Sequence, residues 1–221
     1  MDKTDPGYAG YRDYNRGFLR IYDAWVLGFM APRVWKVGDG PGLDLYERHT
    51  GRRHLDVGPG TGYFLERASL PDDLELTLVD PNPDVLTHCA ERLSDLEPAL
   101  VEGNLLGSLG VDGPFDSAAL MHVLHCLPDP MASKATAVAN VASVLTDDGV
   151  LFGGTVLGPD APGHNAFGRW FVRMANRVGG FSNLEDDTEG LRSILEASFE
   201  EVAIDDSAPI AYFSARRPRR P

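Results

Sequence analysis

Residues Leu55 to Phe64, Leu-Asp-Val-Gly-Pro-Gly-Thr-Gly-Tyr-Phe, restrict the fold more than any other stretch of the chain. The run Arg53–Val57 predicts a short strand. It breaks into a turn with Gly58, Gly60 and Gly62 at alternate positions, and Tyr63-Phe64-Leu65-Glu66-Arg67 resumes as the first turns of a helix. Glycine takes positive φ at little steric cost and lets a backbone approach a ligand closely. The unpaired N–H groups at the start of a helix favour a negatively charged group. Asp56 stands just before the turn, where a carboxylate can take hydrogen bonds or a positive charge from the same ligand. A strand that ends in such a turn and feeds a helix is a ligand-binding device.

Beyond residue 67 the chain alternates strand and helix. Strands are expected over 74–79, ending in Asp80, and over 99–101, 115–121 and 150–157. Helices are expected over 83–93 and 130–145, with a turn at 146–149. Strands separated by helices of this length imply a parallel sheet covered on both faces. The pattern then changes. A Gly/Pro loop at 158–163 leads to an amphipathic helix over 166–178, and Thr188 is a candidate cap for a helix over 189–197. Strands over 199–204 and 210–214 are joined by a connection short enough to demand an antiparallel hairpin. Ahead of the sheet, Phe18, Ile21, Tyr22, Trp25, Val26 and Phe29 recur at helical spacing within 14–30, with further helices expected over 34–37 and 43–49. This segment is rich in aromatics, among them Trp35 and Tyr46. They suit packing on a sheet, or a helical cover with one or two rings facing a ligand. The expected fold class is therefore α/β. It is a doubly wound, seven-stranded, mostly parallel sheet with an antiparallel C-terminal hairpin. Residues 1–49 form a helical cap and 50–221 the binding domain.

The 221 residues are 43% hydrophobic, enough for one full core. A net charge of −13 repels phosphate backbones, which argues against a nucleic-acid partner. The exception, Arg216-Arg217-Pro218-Arg219-Arg220, is expected to be a solvated, frayed end. Cys89 and Cys126 lack metal-ligand spacing and read as buried free thiols in a reducing compartment. No run of about 18 apolar residues exists to span a membrane. The polar start of the sequence lacks a signal-peptide core. The expectation is a cytoplasmic chain without a metal.

Two ligands compete for the turn: a dinucleotide, or a nucleoside with an amino-acid tail. Asp80, at the end of the second strand, can bind both hydroxyls of a ribose in either. The dinucleotide fingerprint is Gly-x-Gly-x-x-Gly, whereas the spacing here is Gly-x-Gly-x-Gly. A carboxylate at Asp56 also opposes a pyrophosphate and suits an ammonium group.

Asp56-Val57-Gly58-Pro59-Gly60-Thr61-Gly62 resembles the first motif of the class I S-adenosylmethionine-dependent methyltransferases, whose fold is Rossmann-like. The likeness covers roughly residues 50–157 well. It implies that the glycine turn lies against the methionine and ribose of the cofactor, that Asp80 binds the ribose diol, and that Pro81 and Asn82 border the adenine. The family usually places Asp near the adenine amine; Asn104, followed by Leu105, stands there, and an amide oxygen still accepts a hydrogen bond. Met121 and the following His122-Val123-Leu124-His125-Cys126-Leu127-Pro128-Asp129 resemble the family's fourth motif. Tyr22-Asp23 resembles a pair in which the tyrosine closes over the cofactor's carboxylate end.

The resemblance implies transfer of a methyl group from S-adenosylmethionine to a small, partly apolar metabolite of secondary metabolism, leaving S-adenosylhomocysteine. Oxygen is the favoured acceptor, with nitrogen, carbon and sulfur open. A hydroxyl acceptor needs a base, for which His122 and His125 are candidates. Trp25, Phe29, His164 and Trp170 are candidates for contact with the acceptor. A cofactor-bound lyase or cyclase on the same scaffold, and a non-catalytic cofactor-binding subunit, are the other classes that fit. The expected assembly is a monomer or a homodimer.

Overall fold

The computed structural model of the protein describes residues 38–128 and 131–220. The helices expected over 14–30 and 34–37, and with them Tyr22, Trp25 and Phe29, lie outside the described residues, as does Asp129. The described elements run in order α1 (Gly40–His49), β1 (Arg53–Val57), α2 (Tyr63–Arg67), β2 (Glu75–Asp80), α3 (Pro83–Arg92), β3 (Ala99–Glu102), β4 (Phe115–Met121), α4 (Met131–Ser143), β5 (Leu145–Val156), α5 (Ala166–Arg177), α6 (Thr188–Glu196), β6 (Phe199–Asp205) and β7 (Ile210–Pro218).

The seven strands form one sheet in the order β3-β2-β1-β4-β5-β7-β6. Pairings among β1 to β5 are parallel, and β7 runs antiparallel to both β5 and β6. The strand order reverses between β1 and β4, which is where doubly wound sheets bind ligands. Register makes the site local. Asp56 lies beside Leu78 on one side and Ala119 on the other, so the ends of β1, β2 and β4 emerge together. Side chains on successive residues of a strand face opposite ways, and the core divides accordingly. Leu55 and Val57 join Leu120 and the buried residues of α4 and α6 on one face, while Leu78, Phe152 and Val156 meet Tyr46 of α1 on the other.

Three expectations need correction. The basic end is not a frayed tail. Arg216 and Arg217 continue β7, where Pro218 still pairs with Phe199 of β6. Beyond the strand, Arg219 Nε donates to the carbonyls of Glu196 and Phe199 at 3.0 Å, closing the otherwise unsatisfied end of α6. Arg220 Nη2 donates to Leu145 O and Asp147 Oδ1, each at 2.8 Å. The cap of α6 is Asp187 rather than Thr188, its carboxylate accepting from Gly190 N at 2.7 Å. β5 starts at Leu145, not at 150. Leu145 pairs with Phe115 and Val150 with Ser117, so the intervening turn bulges out of a strand that has already begun.

Candidate active site

The turn after β1 is held open by its backbone. Gly58 N donates to Val79 O at 2.8 Å, and Gly62 N to Pro59 O at 3.0 Å. Gly62, at φ 74, is the N-cap of α2, and a Cβ there would lie 2.8 Å from Cys89 Sγ. Gly60, at φ 57, has nothing within 4 Å of the Cβ it lacks. The first glycine lets the turn close onto α3, and the second leaves space above it. That space is the floor of the main cavity.

The cavity is walled by Val57 to Leu65, by Tyr46, by Asp80, Pro81 and Val85, by Gly103 to Leu106, and by Met121 to Val123 with Cys126 and Leu127. Asp80 Oδ1 accepts from Asn82 N at 2.7 Å, leaving its second oxygen for a ligand. Burial raises its carboxyl to about 7, against the smaller opposing effect of the Asn82 N–H. Asp56 lies one layer below the turn, buried and off the cavity wall. Its Oδ2 accepts from the Tyr46 hydroxyl at 2.6 Å, while its Oδ1 is buried with no hydrogen-bond partner. Burial raises this carboxyl also to about 7, although the Tyr46 bond pulls the other way.

At the opposite wall, His122 follows β4 directly. Its N–H donates to Gly154 O at 2.8 Å, so it is still tethered to β5. Its φ of 62 turns the ring out of the sheet direction. A left-handed non-glycine residue costs of order 1–3 kcal/mol and persists only where its surroundings enforce it. The ring sits between Phe64 and Tyr212, with centroids 6.0 and 6.4 Å away. Burial lowers its pKa to about 4, so the imidazole is neutral and able to accept a proton at ordinary pH.

The chain matches the methyltransferase domain over residues 55–151. Demethylluteothin O-methyltransferase of Streptomyces thioluteus is 36% identical over 192 residues, covering 86% of this chain and 83% of that protein. The chain belongs to the class I S-adenosylmethionine-dependent methyltransferases. Over its whole length it is also 34% identical to the physcion biosynthesis cluster O-methyltransferase of Aspergillus chevalieri, with 99% of this chain and 100% of that one covered. The fold is that of the N-methyltransferase NodS from Bradyrhizobium japonicum WM9, solved with S-adenosylhomocysteine. That likeness has a TM-score of 0.59 at 19% identity and covers 80% of this chain and 85% of that one.

The residues of this methyltransferase fit S-adenosylmethionine. The open face of Gly60 accommodates close approach of a ligand, Asp80 offers a carboxylate oxygen at the rim, and the orphaned oxygen of Asp56 lies behind the turn. Of the residues singled out in the sequence, Gly58, Gly60, Gly62, Asp80, Pro81, Asn104, Leu105, Met121 and His122 line one cavity. Asp56 and Asn82 lie behind it. Asn82 caps α3, its Oδ1 accepting from Asp84 N at 3.0 Å. Asn104 Oδ1 accepts from Leu106 N at 2.8 Å, which ties the amide into its own loop at the cavity wall.

The remaining candidates lie elsewhere. His125 is off the cavity wall. Its Nδ1 accepts from Val156 N at 3.3 Å, and its ring packs on Phe181 with centroids 4.4 Å apart. Burial, helped by the nearby Lys134 ammonium, keeps it neutral. His164 is buried, its Nε2 3.3 Å from Leu157 O. Trp170 is 56% exposed and stacked on Phe167, away from the cavity. Sequence reasoning missed Tyr63, Val123, Cys126 and Leu127 as cavity residues. It also missed the ion pair of Lys134 with Asp186, for which a lone lysine in an Ala/Val-rich helix was the available signal.

Proposed function

We propose that this methyltransferase methylates a hydroxyl oxygen of a small, partly apolar metabolite, with His122 as the base. The observation that carries the proposal is a neutral, half-buried imidazole on the wall shared with the glycine turn. S-adenosylmethionine, when bound, supplies a methyl group made electrophilic by a sulfonium. The glycine turn and Asp80 would hold it, with Asn104 and Leu105 at its far end. Holding two reactants in line contributes about 7–11 kcal/mol to such a reaction. His122 would take the acceptor's hydroxyl proton on an imidazole nitrogen. His125, bonded to β5, keeps the segment after β4 in place without touching the reactants. The apolar walls at Phe64, Leu106 and Leu127 exclude water and favour an acceptor with hydrocarbon or aromatic surface. The oxygen acceptor is supported by the two relatives, both named as O-methyltransferases.

The test is His122→Asn, since asparagine tolerates the left-handed backbone. Formation of S-adenosylhomocysteine from a panel of phenols and alcohols should fall by about 10²–10⁴-fold. Affinity for S-adenosylhomocysteine, measured by calorimetry, should stay near that of the wild type. The acid limb of kcat/KM in the wild type should lie near pH 4, where the imidazole protonates. Unchanged turnover in the variant would sink the assignment.

A further inference from the structure

Beneath the glycine turn lies a polar cluster that cofactor contact alone does not explain. Tyr46 reaches it from α1, outside the sequence motif. One side of its ring lines the cavity, and its hydroxyl donates to Asp56 Oδ2. The ring is fixed by Phe64, stacked at 5.8 Å, and by Phe152, edge-on at 5.1 Å. Tyr46 is 2% exposed and Asp56 1%, so the bond is shut off from bulk water. A buried carboxylate needs a counter-charge or several donors. Here one oxygen has one donor and the other has none.

The titratable groups around it supply no cation among the described residues. From its own strand comes His54, whose Nε2 lies 3.9 Å from Oδ2, too far for a hydrogen bond. Burial lowers the His54 pKa to about 3, so that ring is neutral. From α3 comes Cys89, whose thiol is itself pushed up by burial and by Asp56. The flanking strands present Leu78 and Ala119, with Asp80 at the end of β2 and His122 after β4. In the free protein Asp56 is therefore held in a place that disfavours its charge, and the raised carboxyl agrees.

We propose that Tyr46 is a positioning residue for the cofactor, fixing Asp56 beneath the glycine turn so that arrival of the ligand's ammonium end ionises the carboxyl and cofactor binding releases a proton. The inference rests on S-adenosylmethionine occupying this cavity. A cation placed over the turn supplies the counter-charge that Asp56 lacks, and Tyr46 keeps one oxygen anchored while the charge develops. Because a donated hydrogen bond favours the ionised form, loss of the Tyr46 hydroxyl should make ionisation harder.

The experiment is calorimetric titration with S-adenosylhomocysteine from pH 6 to 8, each point in two buffers of different ionisation enthalpy. Wild-type affinity should tighten by about tenfold over that range, with proton release at the low end. Adenosine, which carries the ribose diol but no ammonium group, measures the share due to Asp80 and should release fewer protons. Tyr46→Phe should move the midpoint to higher pH, and Asp56→Asn should abolish the excess release. Because Tyr46 touches Asp56 and not Asp80, a displaced midpoint locates the proton. Infrared difference spectra of the wild type should show loss of a protonated carboxyl band with S-adenosylhomocysteine beyond any seen with adenosine, a readout that needs no variant to fold. Equal proton release with both ligands, or an unmoved midpoint in Tyr46→Phe, overturns the inference while leaving the cofactor site standing. Failure of the wild type to bind S-adenosylhomocysteine at any pH overturns the site as well.

Discussion

Lys134 offers a sharp test of how the wall behind the cavity is held. It is 1% exposed, and its partner Asp186 is 6% exposed. Its Nζ donates to Asp186 Oδ1 at 2.6 Å and to Ser182 O at 2.7 Å. Ser182 N in turn donates to His125 O at 2.8 Å. One ammonium group thus ties α4 to the α5–α6 connection, and through it to the segment that carries His122. Lys134→Met keeps the length and apolar stem but strands Asp186 in the interior without this cation. Breaking a buried pair in this way costs about 3–5 kcal/mol. In a chain of this size each kcal/mol moves Tm by about 2–4 °C, so the fall should be on the order of 10 °C. Urea unfolding followed by circular dichroism, with calorimetry for Tm, measures both. The double variant Lys134→Met, Asp186→Leu removes both charges and should return to within about 1 kcal/mol of wild type, since apolar replacements of buried pairs are often neutral. A loss below about 1 kcal/mol in the single variant, the level of an exposed pair, would refute the reasoning. So would a double variant no better than the single.

Two further outcomes concern the turn and its acids. Gly60→Ala and Gly62→Ala both force a left-handed alanine, at roughly 1–2 kcal/mol each. Only the second also drives a methyl into Cys89 Sγ, so Gly62→Ala should lower the urea midpoint more; the reverse order would contradict the turn geometry. For Asp56, a carboxyl raised from 3.8 to about 7 favours folding below the unfolded value and loses that contribution as pH climbs toward 7. Asp56→Asn removes the loss, so it should gain on the wild type between pH 4 and 7 by up to about 4 kcal/mol for a shift of about three units. Parallel stability profiles for the two proteins would disprove it.

The parts of the fold legible in the sequence were those with a local cause. β1 and β4 were readable to the residue because β1 stops at the first glycine of the turn and β4 is a largely apolar run followed by a histidine. The glycine turn was readable because backbone conformation demands the residue type. The ends decided by distant partners were not. β7 extends to Pro218 because β6 supplies pairing up to Phe199, and the arginines beyond find carbonyls at the end of α6 and at the start of β5. Tyr46 and Lys134 share that property. Nothing within four residues of either shows that Asp56, ten residues on, or Asp186, fifty-two residues on, will face it. His122 and His125 are three apart, and the sequence favours His122 only because it directly follows the fourth strand. The positive φ at His122 and the Val156 N–H on His125 separate a ring in the cavity from a ring in the wall.

Charge decides what such a turn can hold, and glycine spacing alone does not encode charge. Asp80 stands at the rim and Asp56 lies beneath, while no lysine or arginine is among the described residues of the cavity wall. α2 is only five residues long, so its dipole is a weak substitute for a cation. A pyrophosphate placed over this turn meets the Asp56 carboxyl, which it would have to keep protonated. At roughly 5 Å and an effective dielectric of about 20, that like-charge pair costs about 3 kcal/mol once ionised. A ligand carrying an ammonium or a sulfonium gains a similar amount and draws the same carboxyl into its charged form. The turn therefore favours a cationic nucleoside over a dinucleotide by the sign of one buried acid, Asp56, while Asp80 at the end of the neighbouring strand suits the ribose of either.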